Sequence, residues 1–341
     1  MEKMRLGRTG LRVSRCGFGA LPIQRATLDE AKALLRAAFD GGIDFYDTAR
    51  VYSDSEEKLG HALADVRGDI VIATKSTAKT AADLFKDLET SLRTLKTDHV
   101  DILQLHNPAV LPDPKDPGSL YGALLEARRK GMVRFLGITN HRRDVALEAA
   151  RSGLYDTVQF PFNHLSSPED VGLAEECEHR DVGFIAMKAL SGGLVSNIPA
   201  TFCYLRQFGG VLPIWGIQRM GELDEFLALE KDPPAMDGGM KAMIERDRTE
   251  LAGDFCRGCG YCLPCPAEIP IPMAARLSLA LKRMPWRQYM TPQWKEQMGR
   301  IRDCRDCGHC RKHCPYGLDT PALLKRQLSE YETFYREHAG T

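Results

Sequence analysis

Short apolar runs alternate, along roughly the first 230 residues, with segments that repeat apolar positions at helical spacing. The clearest runs are IDFYDTA, DIVIATKS, VDILQLHN, RFLGITNH, TVQFPFN, GFIAMKA and VLPIWGI. Their spacing, roughly 20 to 35 residues, is typical of a strand and a crossover helix in a parallel sheet. With VSRCGFGA near the start as a first strand, the pattern predicts eight strand–helix units.

Eight such units within roughly 220 residues favour a (β/α)8 TIM barrel. The competing fold is an open doubly wound sheet, which would carry the fingerprint G-x-G-x-x-G after its first strand. The segment GFGALP contains Gly17 and Gly19, but Pro22 stands where the third glycine should open a helix. We therefore predict an α/β protein of the barrel type.

The composition of the chain changes after the last of these units. The Pro- and Gly-rich stretch FLALEKDPPAMDGG indicates a linker, and the residues beyond it are rich in Cys, Pro and Arg. We predict a barrel domain over residues 1–232, a linker over 233–250, and a small, mainly helical domain over 251–341 that ends in a helix.

Apolar residues make up 43% of the 341 residues and charged residues 27%, which is ordinary for a protein with a sizeable core. Lys+Arg and Asp+Glu both total 46, so the charge balance favours neither nucleic acid nor an anionic membrane as a partner. The stretch MEKMRLGRTGLRVSR lacks the apolar segment of a secretory signal, and no apolar run is long enough to span a membrane. We expect a cytoplasmic protein with no nucleic-acid or membrane partner.

Ionisable residues stand at the ends of three successive apolar runs. Asp47, Lys75 and His106 end the second, third and fourth predicted strands, and Tyr52 follows Asp47 in the next loop. In a TIM barrel the carboxyl ends of the strands converge on one face, where active sites lie. We predict that these four residues form a common site.

The residue types in this set suit the reduction of a carbonyl group. That reaction delivers hydride to carbon and a proton to oxygen. A tyrosine has an ordinary pKa near 10, and a neighbouring lysine favours its ionised form, so we expect Lys75 to make Tyr52 a usable acid and base. Asp47 would keep Lys75 charged, and His106 would donate a hydrogen bond to the carbonyl oxygen.

Several longer stretches carry a family resemblance, in the same order as in that family. They are LGRTGLRVSRCGFGA, GIDFYDTARVY, EEKLGHAL, SLRTLKTDHVDILQLHNP, VRFLGITNH and VQFPFN. From residue 3 to about residue 230, this chain resembles the aldo-keto reductases. The resemblance implies reversible NADP(H)- or NAD(H)-dependent interconversion of a small carbonyl or sugar-like compound and its alcohol. It matches Asp47, Tyr52, Lys75 and His106 to the family's catalytic tetrad, with the tyrosine as proton donor.

The resemblance also implies a nucleotide site across the mouth of the barrel. Residues of GITNH and VQF would approach the nicotinamide carboxamide, while the LSGG loop and the segment WGIQRMGELDE would lie near the pyrophosphate and the adenosine. Where the family commonly has Tyr-Ser, this chain has Met-Lys. The candidate cofactor-binding residues are Thr139, Asn140, Gln159, Met187, Lys188, Leu190, Gly192, Gly193, Gly216 and Arg219.

Eight of the eleven cysteines lie between residues 256 and 314. In a chain without an export signal, such clustering indicates metal ligation rather than disulfides. The second motif, C-x2-C-x2-C-x3-C-P, has the spacing of a bacterial [4Fe–4S] site, and the first is one residue shorter before its last cysteine. Zinc is the alternative, but it needs pairs of CxxC rather than triplets that end in Cys-Pro.

Two such motifs normally exchange their fourth ligands. We therefore predict two [4Fe–4S] clusters. The first would be bound by Cys256, Cys259, Cys262 and Cys314, and the second by Cys304, Cys307, Cys310 and Cys265.

The whole chain thus resembles a subset of aldo-keto reductases with a C-terminal dicluster ferredoxin-like domain. We predict an NAD(P)H-dependent oxidoreductase. Its clusters would exchange electrons with a redox protein partner, stabilise the fold, or serve chemistry other than simple NADPH reduction. The alternative is an iron–sulfur electron-transfer protein whose barrel no longer performs simple hydride transfer.

Overall fold

The apolar runs of the sequence form the strands of a closed parallel barrel. The structure is a computed structural model that describes residues 1–251, 255–283 and 286–338. The barrel strands are β3 (Gly17–Gly19), β4 (Phe45–Asp47), β5 (Val71–Ser76), β6 (Val100–His106), β7 (Val133–Thr139), β8 (Thr157–Pro161), β9 (Gly183–Met187) and β10 (Val211–Gly216). Neighbouring strands pair in parallel, and β10 pairs with both β9 and β3, which closes the sheet. This confirms the predicted barrel.

One helix follows each barrel strand, as the periodicity predicts. They are α1 (Leu28–Asp40), α2 (Ser55–Leu63), α3 (Ala81–Leu95), α4 (Leu120–Arg129), α5 (Arg143–Ser152), α6 (Pro168–His179), α7 (Ile198–Leu205) and α8 (Met220–Lys231). Several begin at a residue whose side chain caps the first turn. At α1, Thr27 accepts a hydrogen bond from the Glu30 N–H, and the Glu30 carboxylate accepts one from the Thr27 N–H.

A short antiparallel hairpin, β1 (Lys3–Arg5) and β2 (Arg12–Ser14), precedes the barrel. The sequence pattern did not predict it, because strands of three residues are too short to show a period of two. Its apolar residues Met4 and Val13 pack with inward-facing residues of the barrel strands in one buried core. The hairpin thereby adds to the apolar filling of the barrel.

The chain divides into two compact units. The first comprises Met1–Ala189 and Pro199–Lys241, and the second comprises Leu190–Ile198 and Ala242–Thr341. Helix α9 (Gly238–Glu250) lies within the segment predicted as a linker. The remaining helices are α10 (Ile271–Ala274), α11 (Leu277–Arg283), α12 (Pro292–Gly299), α13 (His309–Lys312) and α14 (Thr320–His338).

The second unit is mainly helical, as predicted, and its apolar core contains cysteines. Cys256, Cys262 and Cys310 are buried together with apolar residues such as Leu277 and Leu324. Within the described residues, no helix combines the length and the apolar character needed to cross a membrane.

Candidate active site and cluster sites

A buried ion pair lies at the carboxyl ends of β4 and β5. Lys75 Nζ is 2.6 Å from Asp47 Oδ1, and both side chains are almost fully buried. Strand pairing produces this contact, because Asp47 lies opposite Ala73 and Lys75 is two residues further along β5. Lys75 Nζ also donates a hydrogen bond to the carbonyl oxygen of Thr48 over 2.6 Å. Two predicted site residues therefore contact each other directly.

Two glutamines complete the surroundings of the carboxylate. Gln104 Nε2 donates to Asp47 Oδ2 over 3.3 Å, and Gln159 Nε2 donates to Asp47 Oδ1 over 3.4 Å. Gln104 was not among the site residues predicted from the sequence. The sequence feature that could have identified it is a polar residue inside an apolar strand. Gln104 stands two positions before His106 and hence on the same side of β6.

Burial and pairing act on the two ions in opposite directions. Burial raises the pKa of Asp47, whereas the charge and hydrogen bond of Lys75 and the two glutamine amides lower it. Burial also lowers the pKa of Lys75, whereas Asp47 raises it. Each ion therefore stabilises the charged form of the other, and the carboxylate receives further hydrogen bonds from neutral donors.

Tyr52 and His106 lie next to this ion pair. Lys75 Nζ is 5.4 Å from the centre of the Tyr52 ring. The Tyr52 and His106 rings are 6.1 Å apart and nearly perpendicular, at 84°. The structure thus brings together all four residues of the predicted tetrad, and their catalytic roles stay a prediction.

The loop that carries Tyr52 is held by hydrogen bonds to two neighbouring strands. The Arg50 N–H donates to the carbonyl oxygen of Lys75 over 2.9 Å. At the other end of the loop, Ser55 Oγ lies 2.9 Å from Thr48 Oγ1 and donates to the Ala20 carbonyl over 3.0 Å. These contacts fix the path of the backbone on both sides of the tyrosine.

The electrostatic expectation for Tyr52 was wrong. Burial raises the pKa of the Tyr52 hydroxyl above its ordinary value, and the Asp47 carboxylate raises it further. Lys75 does not lower this pKa as expected, because its charge is offset by Asp47 at 2.6 Å. Tyr52 is therefore protonated at neutral pH, which is the state of a proton donor.

His106 is neutral for a related reason. Burial lowers its pKa to about 3, and the positive charges of Lys75 and Lys79 contribute. Its Nδ1 atom is buried and has no hydrogen-bond partner among the residues that the structure describes. A neutral imidazole can donate one hydrogen bond through its protonated nitrogen.

The predicted nicotinamide contacts are only partly available. Gln159 Oε1 is a buried acceptor without a partner in the described part of the chain, so it fits an amide donor such as a nicotinamide carboxamide. Thr139 Oγ1 donates to Met187 Sδ over 3.7 Å. Asn140, by contrast, donates its amide to the Pro108 carbonyl over 2.8 Å, so it also holds a neighbouring loop.

The predicted pyrophosphate loop has an unusual backbone. Lys188, Gly192 and Gly193 have φ angles of 57°, 67° and 90°. Leu190, Gly192 and Gly193 belong to the second compact unit, within Leu190–Ile198. The Gly193 N–H already donates to the Leu190 carbonyl over 2.9 Å, so this predicted phosphate donor is used within the turn.

The two candidates for the adenosine end lie after β10. Gly216 is the last residue of that strand and is exposed. Arg219 is 78% exposed, and its guanidinium is paired with Glu222 at 2.7 Å. An incoming phosphate would therefore compete with this carboxylate for Arg219.

The eight clustered cysteines line two cavities in the second unit. The first cavity, which we call the first cluster site, is lined by Cys256, Cys259, Cys262 and Cys314, by several apolar residues and by Arg257. The cavity that we call the second cluster site is lined by Cys265, Cys304, Cys307 and Cys310, and Cys262 also reaches it. Each cavity thus brings three cysteines of one motif next to the last cysteine of the other, and Cys262 lies between the two cavities; which cysteines bind iron stays a prediction.

Each cavity offers at least four cysteine thiols, and four thiolates are the ligand set of a [4Fe–4S] cluster. The two sites also differ in access, because Cys307 is exposed whereas Cys256 and Cys262 are buried.

Comparison with known proteins agrees with this organisation. Residues 15–200 match the Aldo/keto reductase family, and residues 255–318 match the 4Fe-4S dicluster domain. The L-galactose dehydrogenase of Arabidopsis thaliana is 31% identical over 217 residues, which cover 58% of this chain and 68% of that protein. The 6-dehydroglucose reductase of Novosphingobium aromaticivorans is 34% identical over 160 residues, which cover 41% and 51%.

Among solved structures, an aldo-keto reductase from Klebsiella pneumoniae in complex with NADPH has the same fold. Its TM-score is 0.63 at 21% identity, and the match covers 72% of this chain and 94% of that one. The chain therefore belongs to the aldo/keto reductase family of oxidoreductases and carries a C-terminal 4Fe-4S dicluster domain.

Proposed function

We propose that the barrel site catalyses the NADP(H)-dependent interconversion of a small carbonyl compound and its alcohol. The observation that carries this proposal is the buried ion pair of Asp47 and Lys75 beside a protonated Tyr52 and a neutral His106. This arrangement combines a proton donor, a fixed positive charge and a neutral hydrogen-bond donor in one place. Carbonyl reduction requires all three.

The roles of the side chains follow from their protonation states. A nicotinamide dinucleotide, when bound, supplies the hydride. The Tyr52 hydroxyl gives its proton to the substrate oxygen and is left as a phenolate beside the ion pair of Lys75 and Asp47. Asp47 keeps Lys75 charged and oriented. His106 donates a hydrogen bond to the substrate oxygen and so stabilises the negative charge that develops there.

Two features support the choice of cofactor and substrate class. Gln159 Oε1 offers a buried acceptor for the carboxamide, and the Klebsiella relative was solved with NADPH. The names of the two curated relatives, a galactose dehydrogenase and a dehydroglucose reductase, both indicate sugar chemistry. We therefore propose a small carbonyl compound or an oxidised sugar as the substrate.

We further propose that the second unit binds two [4Fe–4S] clusters, one in each cysteine-lined cavity. Anaerobically purified protein should be brown and contain roughly eight iron and eight sulfide per chain. Four iron per chain would mean that one motif had lost its cluster. A colourless protein with stoichiometric zinc would contradict the assignment.

The hydride-transfer proposal is tested by separating binding from turnover. NADPH and NADH are titrated into anaerobic protein while the cofactor fluorescence is followed, and carbonyl reduction is then measured for Tyr52→Phe. We expect this variant to retain binding and to lose at least about a hundredfold in turnover, because it lacks the proton donor. Tyr121→Phe is the matched control, because Tyr121 lies on helix α4, away from the tetrad, and its hydroxyl donates to the Leu154 carbonyl.

Two results would contradict the proposal. Retained turnover in Tyr52→Phe would remove the tyrosine from the reaction. If neither nucleotide binds to protein with a full complement of iron, the chain would instead be an iron–sulfur electron-transfer protein whose barrel has lost hydride chemistry.

A further inference from the structure

Arg276 brings a positive charge into the second unit beside the first cluster site. A Cβ atom added to Gly258 would lie 3.1 Å from Arg276 Nη1, and one added to Gly192 would lie 2.8 Å from it. The guanidinium therefore packs against the backbone of two residues that have no side chain. The Gly258 N–H donates a hydrogen bond to Cys256 Sγ over 3.3 Å. The cation thus adjoins the turn that holds a candidate ligand sulfur.

This cation has no acidic partner in the described part of the chain. The groups whose charge acts on Arg276 are Cys256 and Tyr289, and no carboxylate is among them. Its Nη2 atom contacts Met273 Sδ at 3.4 Å, and the flanking residues Ala275 and Leu277 are fully buried. An arginine keeps its charge at every physiological pH. A partly buried cation without a counter-ion is costly, so this position requires an anion.

A thiolate-bound four-iron cluster would supply that anion. Such a cluster carries negative charge when oxidised, and reduction adds one electron and one further negative charge. No bond breaks and no proton moves in this step. A fixed cation nearby stabilises the reduced form more than the oxidised form and so favours reduction.

We propose that Arg276 is a counter-charge of the cluster in the first cluster site, in addition to Arg257 in its lining, and raises the reduction potential of that cluster. This inference rests on the proposed ligation by Cys256, Cys259, Cys262 and Cys314. The second cluster site differs, because exposed Cys307 gives it access to solvent and both Arg305 and Asp306 line it. Water screens charges there, so we expect Arg276 to act on one cluster and not on the other.

The test is an anaerobic titration with dithionite, monitored by electron paramagnetic resonance. It compares the wild type with four variants, Arg276→Gln, Arg276→Lys, Arg276→Met and Cys307→Ser. In Arg276→Gln, the equilibrium constant for reducing the first cluster should fall at least tenfold, which is a shift of about 59 mV for a one-electron couple. Arg276→Lys keeps the charge and should stay within about threefold of the wild type. The potential of the second cluster, identified by its response to Cys307→Ser, should not change.

Each alternative result is decisive. Unchanged reduction potentials in Arg276→Gln with both clusters present would overturn the role of Arg276 but not the proposed ligation. The same would follow if Arg276→Lys shifted the potential as much as Arg276→Gln. If Arg276→Gln and the apolar Arg276→Met both lose the first cluster while Arg276→Lys retains it, the charge is again assigned to that cluster. Loss of the first cluster in Arg276→Gln, Arg276→Met and Arg276→Lys alike would contradict the role of the charge. Wild-type protein with no cluster at this site would overturn the proposed ligation together with the role of Arg276.

Discussion

Tyr52 and His106 lie in surroundings that fix their protonation states. Burial raises the pKa of Tyr52 above its ordinary value and lowers the pKa of His106 to about 3. Reduction needs protonated Tyr52, so alkaline conditions should reduce the rate only above the ordinary tyrosine pKa of about 10. We expect kcat for reduction to be constant from about pH 5 to about pH 9, measured anaerobically at saturating substrate.

The rate of alcohol oxidation should change with pH in the opposite direction. Oxidation needs deprotonated Tyr52, so its rate should rise with pH across the alkaline range. An inflection near the ordinary histidine pKa of about 6.5 in the reduction profile would contradict the account, because it would mean that a charged His106 takes part.

The ion pair between Asp47 and Lys75 should also contribute to stability. Asp47→Asn leaves a buried ammonium without its counter-ion, which typically costs about 3–5 kcal/mol. Urea unfolding would be followed by the fluorescence of buried Trp215 in a background in which Trp286 and Trp294 are changed to Phe. Glu126→Gln is the matched control, because Glu126 pairs with Arg129 on the surface and should leave the midpoint unchanged. Equal midpoints for both variants would contradict this role.

At the residue scale, the sequence predicts where the site residues lie better than it predicts the direction of their pKa shifts. Asp47, Lys75 and His106 could be found because strand ends of a barrel converge on one face. The direction of the Tyr52 pKa could not, because it depends on whether Lys75 retains an unpaired charge, and that is decided by a 2.6 Å contact with Asp47. Gln104 was missed because its hydrogen bond depends on the register between strands.

Helices α2 and α3 approach each other so closely that one glycine is required. A Cβ atom on Gly60 would lie 2.2 Å from the Thr94 carbonyl oxygen, which is backbone. Gly60→Ala should therefore destabilise the barrel by about 1–3 kcal/mol, even though alanine is the better helix former. Gly172→Ala in α6 is the matched control, because its Cβ would meet nothing within 4 Å. It should stabilise by about 0.5–1 kcal/mol in the same unfolding assay.

A stabilised Gly60→Ala protein would contradict the tight packing of α2 on α3. An unstable Gly172→Ala protein would show that the assay reports something other than local helix packing.

The two cysteine motifs should behave as one interleaved element. Because Cys314 lines the first cluster site and Cys265 the second, Cys314→Ala should lose the same paramagnetic signal as Cys256→Ala. Cys265→Ala should likewise match Cys304→Ala. Cys177→Ala is the control, because this buried cysteine lies in α6 and should keep both signals.

If Cys314→Ala instead resembled Cys304→Ala, each motif would bind its own cluster. The crossed ligation would then be wrong, although the number of clusters could still be two.

At the element scale, the sequence predicts the strands and helices whose apolar positions recur in a clear pattern. All eight barrel strands follow from apolar runs at regular spacing, and the helices between them follow from their periodicity. The hairpin of β1 and β2 has strands too short to show a period. Helix α9 lies in a stretch where Pro and Gly indicated a linker, and its sequence GGMKAMIERDRTE has few apolar positions to reveal it.

The whole molecule joins two kinds of redox chemistry. The barrel site is arranged for the transfer of a hydride, which carries two electrons, whereas each proposed cluster exchanges one electron at a time. The two sites could therefore work in sequence or independently. In either case, hydride transfer at the barrel is the central claim, because the tetrad has no role in an electron carrier.

The most direct measurement is the transfer of deuterium from NADPH labelled at the nicotinamide C4 position to a carbonyl substrate. The protein, with its clusters intact, would be incubated anaerobically with a panel of aldehydes, ketones and oxidised sugars, and the alcohols would be analysed by mass spectrometry. We predict that one of the two C4-labelled isomers gives a product with deuterium on the former carbonyl carbon, and that Tyr52→Phe gives at most about a hundredth of that product. Alcohol formed without deuterium from either isomer, or undiminished transfer in Tyr52→Phe, would contradict the account.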